Sequence, residues 1–95
     1  MAERVFDLRG EYDMSNAPEL ELALRRFARC SDRGPVTVDA EELRFIDSSG
    51  IAVLLRVREE MASEGRSLRV VNLPATTRRV LRALDLVELL GDETT

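Results

Sequence analysis

The chain has no histidine and no lysine; all fourteen of its basic residues are arginine. Without imidazole, a Ser-His-Asp triad and a histidine metal site are both excluded. A single cysteine, Cys30, cannot close an internal disulfide, and a reducing compartment follows. Cys30 has no histidine to activate it and is read as a small, half-buried residue near a helix end. The five glycines form neither a P-loop nor a dinucleotide fingerprint, so no cofactor is expected. The longest apolar run, residues 51–55, is far shorter than the about 20 residues a membrane span needs. Met-Ala-Glu-Arg-Val shows no basic segment followed by an apolar stretch, so no secretory signal is expected, and the cytoplasm is the expected location.

What remains is ordinary for one water-facing domain spanning residues 1–95. Apolar residues make up 44% and charged residues 34%, enough for one hydrophobic core. The net charge of −4 and the scatter of the arginines argue against a nucleic-acid partner, which selects clustered positive charge. The all-arginine usage reads first as the coding bias of a GC-rich genome, and second as a preference for bidentate carboxylate or phosphate partners.

Alternation from Arg4 to Arg9 predicts a strand with Phe6 and Leu8 on one face, left through a turn at Gly10-Glu11-Tyr12-Asp13. Ser15 or Asn16 caps a first helix, with Pro18 in its first turn and a stripe of Leu20, Leu24, Phe27 and Ala28. Ser31-Asp32-Arg33-Gly34-Pro35 stops it. Val36-Thr37-Val38-Asp39 reads as a central strand, residues 40–44 as a connection, and Phe45-Ile46 as resumed extended chain. A second helix over about residues 49–63 turns Leu54, Val57 and Met61 inward with Ile51 beside them. Residues 68–73 form the next strand. Thr76 or Thr77 caps a third helix with Val80, Leu81 and Leu84 inward, and residues 87–90 add a helical turn or short strand. Helical crossovers between strands imply parallel pairing. The expected fold is therefore α/β, a mixed or mostly parallel sheet of about four strands with helices packed against it.

One stretch organises the rest. In Arg44-Phe45-Ile46-Asp47-Ser48-Ser49-Gly50-Ile51 a strand meets a helix across a polar break. Free N–H groups and the positive dipole end at that point favour oxygen-rich groups. A serine there is either a helix cap or a reactive hydroxyl on display, and the residues alone leave both readings open. Gly50 removes a side chain beside the serines, which would let another backbone or a kinase approach them. Glu11-Tyr12-Asp13 also follows a strand end, and the topology could bring it alongside.

The Phe45-Ile46-Asp47-Ser48-Ser49-Gly50-Ile51-Ala52-Val53-Leu54-Leu55 stretch resembles the phosphorylation loop of bacterial anti-sigma factor antagonists, the STAS-domain proteins. Gly10-Glu11-Tyr12-Asp13 with Ala17-Pro18 is similar to the same family's Gly-Glu-hydrophobic-Asp segment and first-helix start. The resemblance spans essentially the whole chain and implies a STAS-like single domain acting as a binding switch rather than an enzyme. It implies that the unmodified protein binds an anti-sigma factor, itself an ATP-dependent serine kinase, and so releases a sigma factor. Phosphorylation falls on the serine after the loop aspartate, here Ser48, and a serine phosphatase resets the switch. Asp13 and Asp47 match acidic positions near the acceptor, while Ser49 and Gly50 shape the loop. The chain departs from the family at Asp85, where glycine is common after the third helix, and in its short stretch before the first strand.

A second implied role is an interaction subunit of a membrane lipid or anion transport complex, not itself inserted in the membrane. A third reading, a small enzyme using Asp47 and Ser48, needs an activated serine without histidine, lysine or metal.

Overall fold

In the computed structural model, which describes residues 4–30 and 34–86, the chain forms five strands and three helices. They run β1 (Arg4–Asp7), β2 (Gly10–Tyr12), α1 (Ala17–Cys30), β3 (Val36–Asp39), β4 (Leu43–Ile46), α2 (Ser48–Ser63), β5 (Leu68–Val71) and α3 (Ala75–Ala83). Every strand pair is parallel, as helical crossovers require. One sheet has the order β1-β3-β5, and β2 pairs with β4 in a second. The α/β class is thus as expected, with β3 hydrogen-bonded on both sides and Val36, Thr37 and Val38 buried.

Two segments differ from the sequence reading. The expected turn at Gly10-Glu11-Tyr12 is strand β2, and the last two residues of the expected connection at residues 40–44 belong to β4. The cause is an irregularity shared by two neighbouring runs. The Leu8 N–H donates to the Asp39 carbonyl at 2.9 Å and the Gly10 N–H to the Glu42 carbonyl at 3.2 Å, so both runs break at one level and resume as the second sheet. Gly10, at φ 85°, swings the chain across, a conformation glycine adopts at little steric cost. Gly-Glu and Glu-Glu pairs read locally as turns because strand preference depends on a partner the local sequence does not show.

The core collects Leu20, Leu24 and Ala28 of the expected α1 stripe, with Phe27 only partly buried, and the expected Ile51, Leu54, Val57 and Met61 of α2 together with Val53, against Val36, Val38, Leu68 and Val70 of the sheet. At its edge Phe6 meets Phe27 edge-on at 5.4 Å, and the Arg4 guanidinium lies 4.9 Å over the Phe27 ring. Cys30 ends α1 exposed, not half-buried, because it follows the buried Ala28 by two residues and so faces away from the core.

An ion-pair chain ties α1 to α2. Glu21 accepts from Arg25 one turn on at 2.6 Å and from Arg56 of α2 at 2.8 Å, and Arg25 also reaches Glu60 of α2. The Arg56 hydrogen bond, then that from Arg25, holds the Glu21 carboxyl at about 2, well below the usual carboxylate range. A carboxyl depressed in the folded state stabilises above its unfolded pKa, and that contribution disappears as pH falls through the folded value. We expect Glu21→Gln to cost about 1 kcal/mol at neutral pH, discounted for the half-exposed Arg56. The gap from wild type, measured by urea denaturation, should shrink as pH drops from 4.5 towards 2.

The third helix differs more. It starts at Ala75, with Pro74 in the cap position (φ −57°, ψ 149°) and no side-chain cap bond, so neither Thr76 nor Thr77 caps it. The fixed φ of proline suits a helix start. Of the three residues expected inward only Leu81 is buried, while Val80 and Leu84 stay 49% and 57% exposed. With Leu81 aimed at the core, Val80 lies about 100° round the helix and faces out.

The end of α3 explains Asp85. Leu84 is the cap residue and Asp85 follows at φ 61°, with Asp85 N–H donating to Arg82 O at 3.0 Å and Leu86 N–H to Leu81 O at 2.8 Å. Gly65 closes α2 by the same pair of bonds at φ 75°. Both are left-handed helix ends, where a side chain costs energy that glycine avoids. Asp85→Gly is therefore expected to raise stability by about 1 kcal/mol, seen as a higher urea midpoint at unchanged slope. The segment expected at residues 87–90 lies outside the described residues, as do residues 31–33 of the first helix stop.

Candidate functional site

Sequence and structure meet where β4 ends at Ile46 and α2 begins at Ser48, leaving one residue, Asp47, between them. The expected polar loop is thus the first turn of α2 itself. Asp47 is the N-cap, with extended backbone (φ −99°, ψ −172°). Its Oδ1 accepts from the Ser49 N–H at 2.8 Å and the Gly50 N–H at 3.3 Å. Aspartate ranks among the best caps because its short carboxylate reaches these orphan donors and matches the helix dipole. The cap is therefore Asp47 and neither serine.

That assignment frees the serines. Ser48 is exposed at the first helical position, and its hydroxyl makes no hydrogen bond among the described residues. Ser49 is half-buried and lines a groove of about 340 Å³ between α1 and α2, with Met14, Pro18, Ala52, Val53 and Arg56 among its walls.

Gly50 does something other than open the approach to the serines. It is buried, and a Cβ there would fall 2.5 Å from Ile46 Cγ1 and 3.3 Å from Tyr12 Cβ. The missing side chain lets α2 settle onto β4 and β2.

The pairing of β2 with β4 brings the Asp13 segment alongside. Tyr12 is in register with Ile46, and the Asp47 N–H donates to the Tyr12 carbonyl at 3.1 Å. Asp13 is itself held: its Oδ1 accepts from the Ser15 hydroxyl at 2.6 Å and the Ser15 N–H at 2.9 Å. These bonds, the hydroxyl first, lower the Asp13 pKa, so its carboxylate keeps its charge. Asn16, expected as a cap candidate, ties the turn together instead, accepting from the Asp13 N–H and donating to the Glu11 carbonyl, each at 2.9 Å.

Ser48, Asp47, Gly50 and Asp13 are thus gathered at one end of the molecule, with Ser49 turned to the α1–α2 groove. The sequence reading did not single out the apolar side chains that flank them, Met14 at 75% and Phe45 at 53% exposed. Phe45 sits in a short strand where its facing cannot be told from composition. Among the described residues no group of three or more Cys, Asp or Glu side chains is arranged to hold a metal ion, and no helix is long and apolar enough to cross a membrane.

A parallel α/β domain with a capped, serine-bearing helix start beyond its strand ends belongs to a known class. A family model described as "Mlab, STAS domain" matches residues 2–91, and the chain belongs to the STAS-domain family. The fold is also similar to that of a crystal structure of a sulfate transporter family protein from Wolinella succinogenes, with a TM-score of 0.73. That likeness covers 96% of this chain and 73% of the other at 17% identity, so it speaks to fold alone.

Proposed function

We propose that the chain is an anti-sigma factor antagonist, a binding module switched off by phosphorylation of Ser48. It works without catalytic residues of its own. In the unmodified state it binds an anti-sigma factor with serine kinase activity and so releases a sigma factor; a phosphatase restores it, and the switch operates in the cytoplasm. The observation that carries this reading is the exposed Ser48 hydroxyl, left without a hydrogen-bond partner because Asp47 caps α2 in its place. A hydroxyl committed to capping would first have to break that bond to reach a kinase.

The same site supplies the logic of the switch. A phosphate adds about −1.5 to −2 charges at a helix N-terminus whose Ser49 and Gly50 N–H groups are already taken by Asp47, so the added charge faces the incoming partner. The ionised Asp13 and the neighbouring Asp47 make that end strongly negative, and an incoming surface matched to a neutral serine meets repulsion and desolvation. The direct test is phosphopeptide mapping after incubation with candidate kinases and ATP. Phosphate on Ser48 is expected; phosphate on Ser49 with Ser48 untouched overturns the assignment.

A second reading is compatible with the fold shared with a sulfate transporter family protein. Here the domain is an interaction subunit of a membrane lipid or anion transport complex. Co-purification separates the two: a kinase-fold partner belongs to the switch, an ATPase or permease to the transport complex.

A further inference from the structure

We infer that the kinase partner covers one particular flank of Ser48, the groove between β4 and α3, and fills it with an uncharged, apolar segment of its own. This rests on the reading of Ser48 as the switch. Ser48 stands on a ridge of α2 between two grooves: Ile51, three residues on, lines one, and Ala52, four residues on, lines the other. A stable protein interface covers on the order of 800 Å² per partner, far more than one serine offers. A protein that reaches the Ser48 hydroxyl must therefore also cover a flank.

The two flanks differ in chemistry. The α1–α2 groove is walled in part by Glu21 and Arg56, already joined to each other at 2.8 Å, and an occupant there has to match or disturb that ion pair. The β4–α3 groove, of about 180 Å³, is lined by Phe45, Ile46, Ile51, Thr76, Thr77 and Val80, none of them charged, on a chain whose residues are 34% charged. Arg78 and Arg82, two positions either side of Val80, lie about 160° round α3 from it and turn away. Arg44 points to the opposite strand face from Phe45. Six large apolar residues are exposed among the described residues, and three of them, Phe45, Val80 and Leu84, gather on this flank, Leu84 one turn beyond Val80. Such a gathering marks an interaction surface. A carboxylate or guanidinium carried into the groove would lose its water and meet no counter-charge in the lining, so the occupant is apolar. The same lining sharpens the switch. A phosphate on Ser48 stands at the mouth of a groove whose walls offer no cation, and an apolar segment entering beside it must strip water from that charge.

Two measurements test this. The first titrates the isotope-labelled chain with a synthetic helical peptide that carries a leucine stripe and an uncharged glutamine face. The peptide should move the resonances of Phe45, Ile51, Thr77 and Val80, and Val80→Asp should abolish those shifts. Shifts centred on Met14, Ser49 and Ala52, or no saturable shifts at all, overturn the inference. The second takes the purified kinase that labels Ser48 in phosphopeptide mapping and measures its affinity without ATP. Phe45→Ala and Val80→Asp should each weaken binding by more than about tenfold, while Met14→Ala on the other flank stays within about twofold. All three side chains are exposed, and a wild-type circular dichroism spectrum confirms the fold of each variant. Wild-type affinity of Val80→Asp, or a loss at Met14→Ala as large as that at Phe45→Ala, overturns the choice of flank. The reading of Ser48 fails by a different result, equal affinity of the kinase for the phosphorylated and the unmodified chain.

Discussion

Ser48→Asp is expected to weaken binding of the proposed anti-sigma partner by roughly a hundredfold, while Ser48→Ala binds as tightly as the wild type and no longer responds to ATP. The reasoning starts from where the charge lands. Ser48 is the first residue of α2, exposed, and flanked by the Asp47 cap and the β2 end that leads to Asp13. Alanine removes only a hydroxyl without a partner, so helix and cap stay intact. Aspartate places a second carboxylate directly after Asp47, and a factor of a hundred needs only about 3 kcal/mol of lost complementarity. Isothermal titration with the purified partner measures both variants. Tight binding by Ser48→Asp, with wild-type fold by circular dichroism, would remove the electrostatic switch.

Gly50→Val should destabilise the domain by roughly 3 kcal/mol, the upper end for forcing extra methyl groups into a packed site. Two opposed effects meet here. Glycine inside a helix costs about 1 kcal/mol relative to alanine, so propensity alone favours substitution. Against it stands the 2.5 Å approach of any Cβ to Ile46 Cγ1, with Ile46 itself buried. The clash wins because the first turn of α2 can move away only by loosening the Asp47 cap bond to the Gly50 N–H. Gly50→Ala should therefore also destabilise, by about 1–2 kcal/mol, and combined with Ile46→Ala, which removes both Cγ1 and Cδ1, it should cost less than the two single changes add up to. Urea midpoints decide it, and a Gly50→Ala variant more stable than wild type would show that the contact relaxes freely.

Much of this was legible in the chain. The α1 stripe, the inner line of α2, the central position of β3 and the parallel crossovers all follow from strong periodicity over enough residues to outvote local noise. The Asp47–Gly50 stretch was found because a strand ending in apolar residues ran straight into a helical pattern. What stayed hidden depended on partners distant in sequence. Gly10-Glu11-Tyr12 forms a strand only because Leu43 and Phe45 lie beside it. The role of Gly50 needs Ile46 and Tyr12 in place. The outward turn of Val80 follows from a helix so short that one row, centred on Leu81, reaches the core. Which of Asp47, Ser48 and Ser49 would cap α2 could not be ranked from residue type, since all three are good caps.

The parallel ladders also say how the chain must come together in time. Arg4 pairs with Val36, and Val36 with Leu68, a step of 32 residues on each occasion, and Gly10 meets Leu43 across a similar interval. No strand can pair with the one before it in the chain, so each rung waits for a loop of that length to close and its entropy to be overcome first. Helices α1 and α2 can form locally and supply the apolar faces on which the strands assemble. During synthesis the central strand finds its second neighbour only after residue 71 has emerged, and until then β3 stands with one edge open. Folding is expected in the intermediate range of mixed α/β domains, slower than a helical bundle of this length.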